Sequence, residues 1–330
     1  MSTTMEPSTT GDSLHPLFPL HPLAHVVYGF TTSTSLASLS DVFAYYPLNY
    51  EALGLHAISK RMPRALVAPP LSKLQDQLTD NSIAWEAFFP RGSVNPSNKN
   101  APIGGFGFYL HGPPEFAAVL KDMDAEGPGV PNVVMSYEVM FEDGFEWAFG
   151  GKLPGIYGGV GDKAFGCTGG RKQDRCQCFN LRLMWRASGL GELYAYVPPS
   201  ASNSERLLAT PPDSLHNRDF GISTGRGAWT FEAGRWTAIA QRVRMNTVGK
   251  EDGEVEVFVD GKSVIHVCGL VLRTEPEGHI QGLHLETFFG GAKAEWASPR
   301  AQSAWFRGIS GAILRSATDS HNKNMRHDEL

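Results

Sequence analysis

The chain has no apolar run of about 18 residues or more, the length that a membrane-spanning helix needs, so no membrane partner is expected for its 330 residues. It also lacks a basic excess: 29 Lys and Arg stand against 34 Asp and Glu, a formal net charge of −5. A nucleic-acid partner wants a basic field over its phosphates, so none is expected; a local basic cleft for an acidic substrate stays compatible with this balance. Cysteine is scarce, at four. Cys167, Cys176 and Cys178 fall within CTGGRKQDRCQC, and Cys268 stands apart. No second pair or nearby histidine completes a zinc site, so no metal is expected. In an oxidising compartment a loop disulfide from Cys167 to Cys176 or Cys178 is expected, and in a reducing one, free thiols. Helical periodicity is scarce, and no internal repeat of about 20–50 residues appears.

What is present reads as strands. Hydrophobic residues make up 42% and charged residues 19%, enough for a sizeable core and against global disorder. The 36 glycines and 22 prolines punctuate the chain at turn spacing. NVVMSYEVMFE and the segment around Gly105–Leu110 are strand candidates. In CFNLRLMWRAS, Leu181, Leu183 and Trp185 share one face, with Asn180, Arg182, Met184 and Arg186 on the other. SGLGE then turns the chain and ELYAYVP returns it. GEVEVFVDGKSVIHV is a hairpin whose Asp260-Gly261 predicts a type I′ turn. Residues 71–89 have room for a short helix, and residues 197–219, rich in Ser, Asn and Pro, read as a long surface excursion.

Many strands without alternating helices predict an all-β fold, an antiparallel sandwich or jelly roll. The expected organisation is a loose tail over residues 1–25, one domain over 26–318 and a tail over 319–330. That last tail ends in His-Asp-Glu-Leu, the endoplasmic-reticulum retrieval tetrapeptide, whereas the first 30 residues carry no basic n-region and are broken by prolines. The two signals disagree and leave the compartment open.

One stretch raises a chemical question. GGKLPGIYGG, at 150–159, holds a single cation, Lys152, among five glycines. By period two, Asn180 and Arg182 point the same way, as do Tyr194 and Tyr196. The short turn between those strands makes them antiparallel neighbours. One sheet face then carries an amide, a guanidinium and two phenols, with Lys152 reaching it from a glycine loop. That set suits β-elimination from a uronate polymer. Removing the proton on C5 builds negative charge on the adjacent carboxylate, which Arg182, Asn180 and Lys152 are placed to stabilise. A base takes the proton and an acid protonates the leaving O4. Tyr194 or Tyr196 is expected to handle the C5 proton and the leaving group, its pKa of about 10 lowered by Lys152 and Arg182, with Lys152 assisting or itself acting as the base.

These motifs, with GRWTAIAQRVRMN, VFVDGKSV, LETFFGG and FFPRGSVNPSNKNAPIGGFGFY, resemble polysaccharide lyase family 14, the alginate lyases and related glucuronan lyases, especially the fungal members. The resemblance covers roughly residues 85–310. It implies a β-jelly roll with a cleft on a concave sheet and eliminative cleavage of β-1,4-linked uronates. Lys152, Arg182, Tyr194 and Tyr196 fall on the family's functional positions, and Asn180 stands where the family usually has serine. Asparagine hydrogen-bonds a carboxylate but cannot exchange a proton as serine does. Arg91, Ser93, Asn95, Gln241, Arg244 and His284 are further candidates for substrate binding. Trp185 reads as core, and Arg186 and Glu192 as surface or salt-bridge residues. The elimination needs no cofactor; fold analogy alone would allow a structural calcium. The expected partner is an acidic polysaccharide or oligosaccharide. Two other readings compete: a non-catalytic carbohydrate-binding jelly roll, which Asn180 favours, and a lyase or isomerase of a small intracellular metabolite.

Overall fold

A computed structural model describes residues 15–20, 25–59, 64–73, 83–125, 130–217, 220–291 and 293–315. The retrieval tetrapeptide and most of both expected tails lie outside them. In chain order the strands are β1 (Val26–Thr31), β2 (Phe43–Tyr45), β3 (Leu55–His56), β4 (Ala65–Val67), β5 (Ala84–Phe89), β6 (Phe106–Leu110), β7 (Asn132–Phe141), β8 (Gly150–Val160), β9 (Cys178–Arg186), β10 (Leu190–Tyr196), β11 (Leu215–Asn217), β12 (Gly221–Thr230), β13 (Trp236–Arg244), β14 (Gly253–Val259), β15 (Lys262–Leu270), β16 (Gly278–Phe289) and β17 (Gln302–Leu314). Three helices intervene: α1 (Thr34–Leu39), α2 (Pro114–Ala125) and α3 (Ala201–Leu208). Among the described residues, no helix is long and apolar enough to cross a membrane.

The strands form two sheets of a β-sandwich jelly roll. A nine-stranded sheet runs β15-β14-β13-β7-β17-β1-β2, with β5 also on β17 and β4 on β5. An eight-stranded sheet runs β11-β12-β10-β9-β8-β16-β6-β3. Alternation decides which side chains enter the core. Phe179, Leu181, Leu183 and Trp185 of β9 meet Val133, Met135, Tyr137, Val139 and Phe141 of β7 in one buried cluster. Trp185 packs edge-on against Phe141 and Phe289, as ring quadrupoles prefer. The β14–β15 hairpin turns at Asp260 and Gly261, with φ of 48° and 80°, the positive pair that a type I′ turn demands.

Four expectations change. The C-terminal part of residues 71–89 forms strand β5, while 74–82 lie outside the described residues. The excursion at 197–219 contains α3, capped by the Ser200 hydroxyl on the Asn203 N–H at 3.0 Å, and the short strand β11. Within the expected N-terminal tail, Leu17 and Phe18 are buried with Leu36, Phe43 and Phe258, covering the outer face of the nine-stranded sheet. The fourth change is the lysine-bearing glycine stretch, which is not a loop but β8, central in the eight-stranded sheet.

Candidate active site

The glycines of β8 have a packing reason. A Cβ on Gly151 would lie 2.1 Å from the Trp185 ring, so glycine lets that indole fill the core beneath the strand. Between Leu153 and Gly155 the β8–β9 register slips by a bulge. Pro154 sits there, and a proline inside a sheet needs such a position because it has no N–H to give the ladder. The bulge resets the side-chain alternation. Lys152 and Tyr157 differ in parity, yet both face outward: Lys152 lies opposite Met184, and Tyr157 opposite Asn180.

The opposite sheet props the bulge. Gln241, on β13, accepts from the Ile156 N–H at 2.7 Å and donates to the Leu181 carbonyl at 3.0 Å. Gln241 was expected to bind substrate; it instead lies inside the sandwich, 2% exposed. Arg244 is also corrected. It sits on the nine-stranded sheet, bound to the Asp252 carbonyl at 2.7 Å and paired with Glu254 at 3.4 Å. In the loop after β5, Ser93 is buried (1% exposed) and Asn95 accepts from the Ser97 N–H at 3.0 Å. Both lie away from the Lys152 face in sequence and sheet order, and Arg91 is exposed on the same loop.

The remaining candidates converge on the outer face of the eight-stranded sheet. Three rows cross its strands. Glu192, Met184, Lys152 and Phe288 form one; Tyr194, Arg182, Gly155, His284 and Tyr109 form the second; Tyr196, Asn180 and Tyr157 form the third. A Cβ on Gly155 would come within 1.9 Å of the Leu181 carbonyl oxygen. Glycine is thus needed there for the close approach of the β9 backbone, and Arg182, its partner in the register, crosses β8 to β16. Its Nε donates to the Leu153 carbonyl at 2.8 Å and its Nη1 to Glu286 Oε2 at 2.8 Å.

Arg182 is thus not a free cation but one half of a buried ion pair. His284 lies beside it, and Asn180 Nδ2 donates to His284 Nδ1 at 2.9 Å. Burial, then the Arg182 charge, hold the His284 pKa well below its usual value, so the ring is neutral near pH 7. Tyr109 stacks on it at 4.1 Å. The Asn180 Oδ1 is buried without a hydrogen-bond partner.

The Lys152 ammonium lies 3.6 Å from the centre of the Tyr194 ring, 5.6 Å from that of Tyr196 and 2.8 Å from the Met184 sulfur. Burial of the amine, then the charges of Arg182 and Arg186, push its pKa well below the usual lysine value. Burial pushes the other way on the phenols. Both Tyr194 and Tyr196 are raised, with Arg186 and Arg182 respectively opposing only in part. Burial therefore separates the two candidate bases: it disfavours a phenolate on Tyr194 or Tyr196 and favours the neutral form of the Lys152 amine. The cluster is tightly packed, with Tyr194 and Tyr196 only 5% and 7% exposed.

Beneath Tyr194, Glu192 is fully buried and anchors this end. It accepts from Arg186, from Ser223 at 2.7 Å and from Arg226 at 2.7 Å. Burial raises its pKa, and the Arg186 and other hydrogen bonds outweigh that, leaving a carboxylate lower than usual. Of the two sequence readings for Arg186 and Glu192, the structure selects the salt bridge. Three arginines against Glu192 and Glu286 leave this face net positive. The sequence signals for Glu286 and Tyr157 were weaker. Glu286 shares parity with His284, but Tyr157 was hidden by the bulge.

Cys167 and Cys178 form a disulfide, while Cys176 and Cys268 are free and exposed. Among the described residues, the ligand atoms of Glu254, His266 and Cys268 lie within 4.8 Å of one another. These residues lie on β14 and β15, in the other sheet from Lys152.

Comparison with known proteins places this geometry. The polysaccharide lyase 14 family profile matches residues 78–309. The crystal structure of the marine PL-14 alginate lyase from Aplysia kurodai is 33% identical, with a TM-score of 0.57 over 72% of this chain and 85% of that one. An alginate lyase from Chlorella virus, 20% identical, shares the fold with a TM-score of 0.56 over 80% of this chain and 93% of that one. No curated protein matches the sequence. With a profile that spans most of the chain and a relative at one-third identity, this chain belongs to polysaccharide lyase family 14 and is a carbon–oxygen lyase acting on polysaccharides.

Proposed function

We propose that the chain cleaves β-1,4-linked uronate polymers of the alginate or glucuronan type by β-elimination on the outer face of the eight-stranded sheet. The observation that carries this reading is the convergence of Lys152, Tyr194 and Tyr196 beside the Asn180–His284–Arg182 group. The opposed pKa shifts support the following roles. Lys152, as a neutral amine, takes the C5 proton. Electrons from that C–H bond form the C4=C5 double bond, and the C4–O4 bond breaks. Tyr194 or Tyr196, held as a neutral phenol, protonates the leaving O4. The departing chain carries a new hydroxyl, and the other product carries an unsaturated uronate at its non-reducing end.

The carboxylate on C5 gains charge as the proton leaves. Asn180 and neutral His284 bring hydrogen-bonding groups to it, and Arg182 acts mainly through its field because Glu286 shares its charge. No redox step occurs, and the partner is an acidic polysaccharide or oligosaccharide. The test is a screen of alginate, polymannuronate, polyguluronate and glucuronan for the ultraviolet absorbance of the unsaturated product. Rising absorbance with at least one of them supports the reading, and none with all four refutes it.

A further inference from the structure

Beside the two tyrosines a second feature opens. Near the end of β10, the loop 168–177, the N-terminus of α3 and the start of β12 enclose a cavity of about 620 Å³. That volume is ordinary for a small-molecule site. Gly221 is one of its lining residues. A Cβ there would lie 2.8 Å from the Tyr194 ring and 3.0 Å from the Tyr196 ring, so this part of the cavity wall packs directly against both phenols.

The lining itself has one sign of charge, and Asp174, on the same loop, pairs with Arg171 at 3.8 Å. Arg171, Lys172 and Arg175 contribute to the lining, and no Asp or Glu stands among the described lining residues. This is notable in a chain whose net charge is −5. The three cations sit on one short loop that the Cys167–Cys178 disulfide closes, and Cys178 is the first residue of β9, the strand that carries Asn180 and Arg182. Arg175 is held further by the Thr168 and Val197 carbonyls, at 3.2 and 3.4 Å. Opposite them, Ser200 and Ala201 bring the positive end of α3 to the cavity wall. Phe220, 56% exposed, offers an apolar ring on the same lining.

We propose that this cavity is an anionic-sugar subsite that seats a uronate unit next to the cleaved linkage, its carboxylate against Arg171, Lys172 and Arg175 and its ring over Phe220. This rests on the elimination proposed above, because it takes the same polymer chain as ligand. A polymer threaded across the Tyr194 and Tyr196 edge passes directly into the cavity. The loop then fixes which way the chain runs and favours substrates long enough to reach it.

The test is calorimetric titration of a mannuronate hexasaccharide into Lys152→Met protein, which binds without turnover if the elimination reading holds. The same titration is run with Lys172→Glu added, and separately with Phe220→Ala. Lys172 and Phe220 are exposed, so neither change disturbs the core. The expected result is a loss of affinity of about tenfold or more for Lys172→Glu, which is about 1.4 kcal/mol. A weaker dependence on salt accompanies it, and Phe220→Ala gives a smaller loss in the same direction. Equal affinity in the Lys172→Glu protein and its Lys152→Met parent overturns the subsite. A Lys152→Met parent that does not bind the hexasaccharide overturns the subsite as well, while failure of the elimination reading shows separately, as wild-type protein that releases no unsaturated product.

Discussion

Replacing Lys152 isolates the base. The side chain is partly exposed along its length, but its amine lies against an aromatic ring and a thioether sulfur, and it shares the face with Arg182 and Arg186. Removal of a positioned general base costs typically ~10²–10⁴ in rate, or about 2.7–5.4 kcal/mol of barrier at about 1.36 kcal/mol per tenfold. Lys152→Met keeps the length and apolar stem, so kcat/KM on the preferred uronate polymer falls by that factor. Lys152→Arg falls as far, because a guanidinium does not give up its proton in the working range. The pH profile adds a second readout. The depressed amine sets the acidic limb, with kcat/KM rising as pH climbs through its pKa, and the raised phenols set the alkaline limb. In Lys152→Met the acidic limb disappears from whatever activity remains.

Stability gives an independent sign. The folded pKa of Lys152 lies below the unfolded value of 10.5, so stability present above that value is lost as pH falls through the folded pKa. At neutral pH the native amine is therefore a cost, and Lys152→Met melts no lower than wild type. The assay is product absorbance from pH 5 to 10, paired with thermal melts. A Lys152→Arg protein keeping a tenth or more of wild-type kcat/KM would refute the assignment, as would an unchanged acidic limb in Lys152→Met.

Three further outcomes are expected. Gln241→Leu leaves the Ile156 N–H and Leu181 carbonyl without their partner, at a cost of about 1–3 kcal/mol each; the urea midpoint drops, and kcat drops with it because the β8 bulge carries Lys152. Glu192→Gln removes the charge shared by Arg186 and Arg226 and destabilises by about 3–5 kcal/mol, measured by urea unfolding at pH 7. Glu192 is held below its ordinary carboxylate value of 4.5, so the wild-type advantage over this variant is full above that pH and shrinks as pH falls through the folded pKa. Asn180→Ala, which removes a group facing the developing charge, lowers kcat by about 10²–10³ with a smaller change in KM; kinetics equal to wild type would exclude it from the carboxylate site.

Local pattern sufficed for the all-β architecture because period-two alternation and turn chemistry are local properties. The faces of CFNLRLMWR and the Asp260-Gly261 hairpin required only neighbouring residues to be read. The shared face of Arg182 and Tyr194 followed from the short connection between β9 and β10, which forces antiparallel register. The motifs around Lys152 made its chemical importance legible, although they read as a loop. Glycine signals turns when taken alone; here it accommodates the Trp185 indole and the close approach of the β9 backbone at Leu181, neither of which a window of sequence contains.

What only tertiary structure decided is the state and the company of each group. The slip at Pro154 turned Tyr157 outward against its parity, and Gln241 reached that slip from the opposite sheet. Glu286, about a hundred residues along the chain, took up the charge of Arg182. Burial then set the protonation pattern, moving Lys152 down and both phenols up. Sequence names the titratable groups, but the dielectric around them and the charges they meet arise only once the strands are laid side by side.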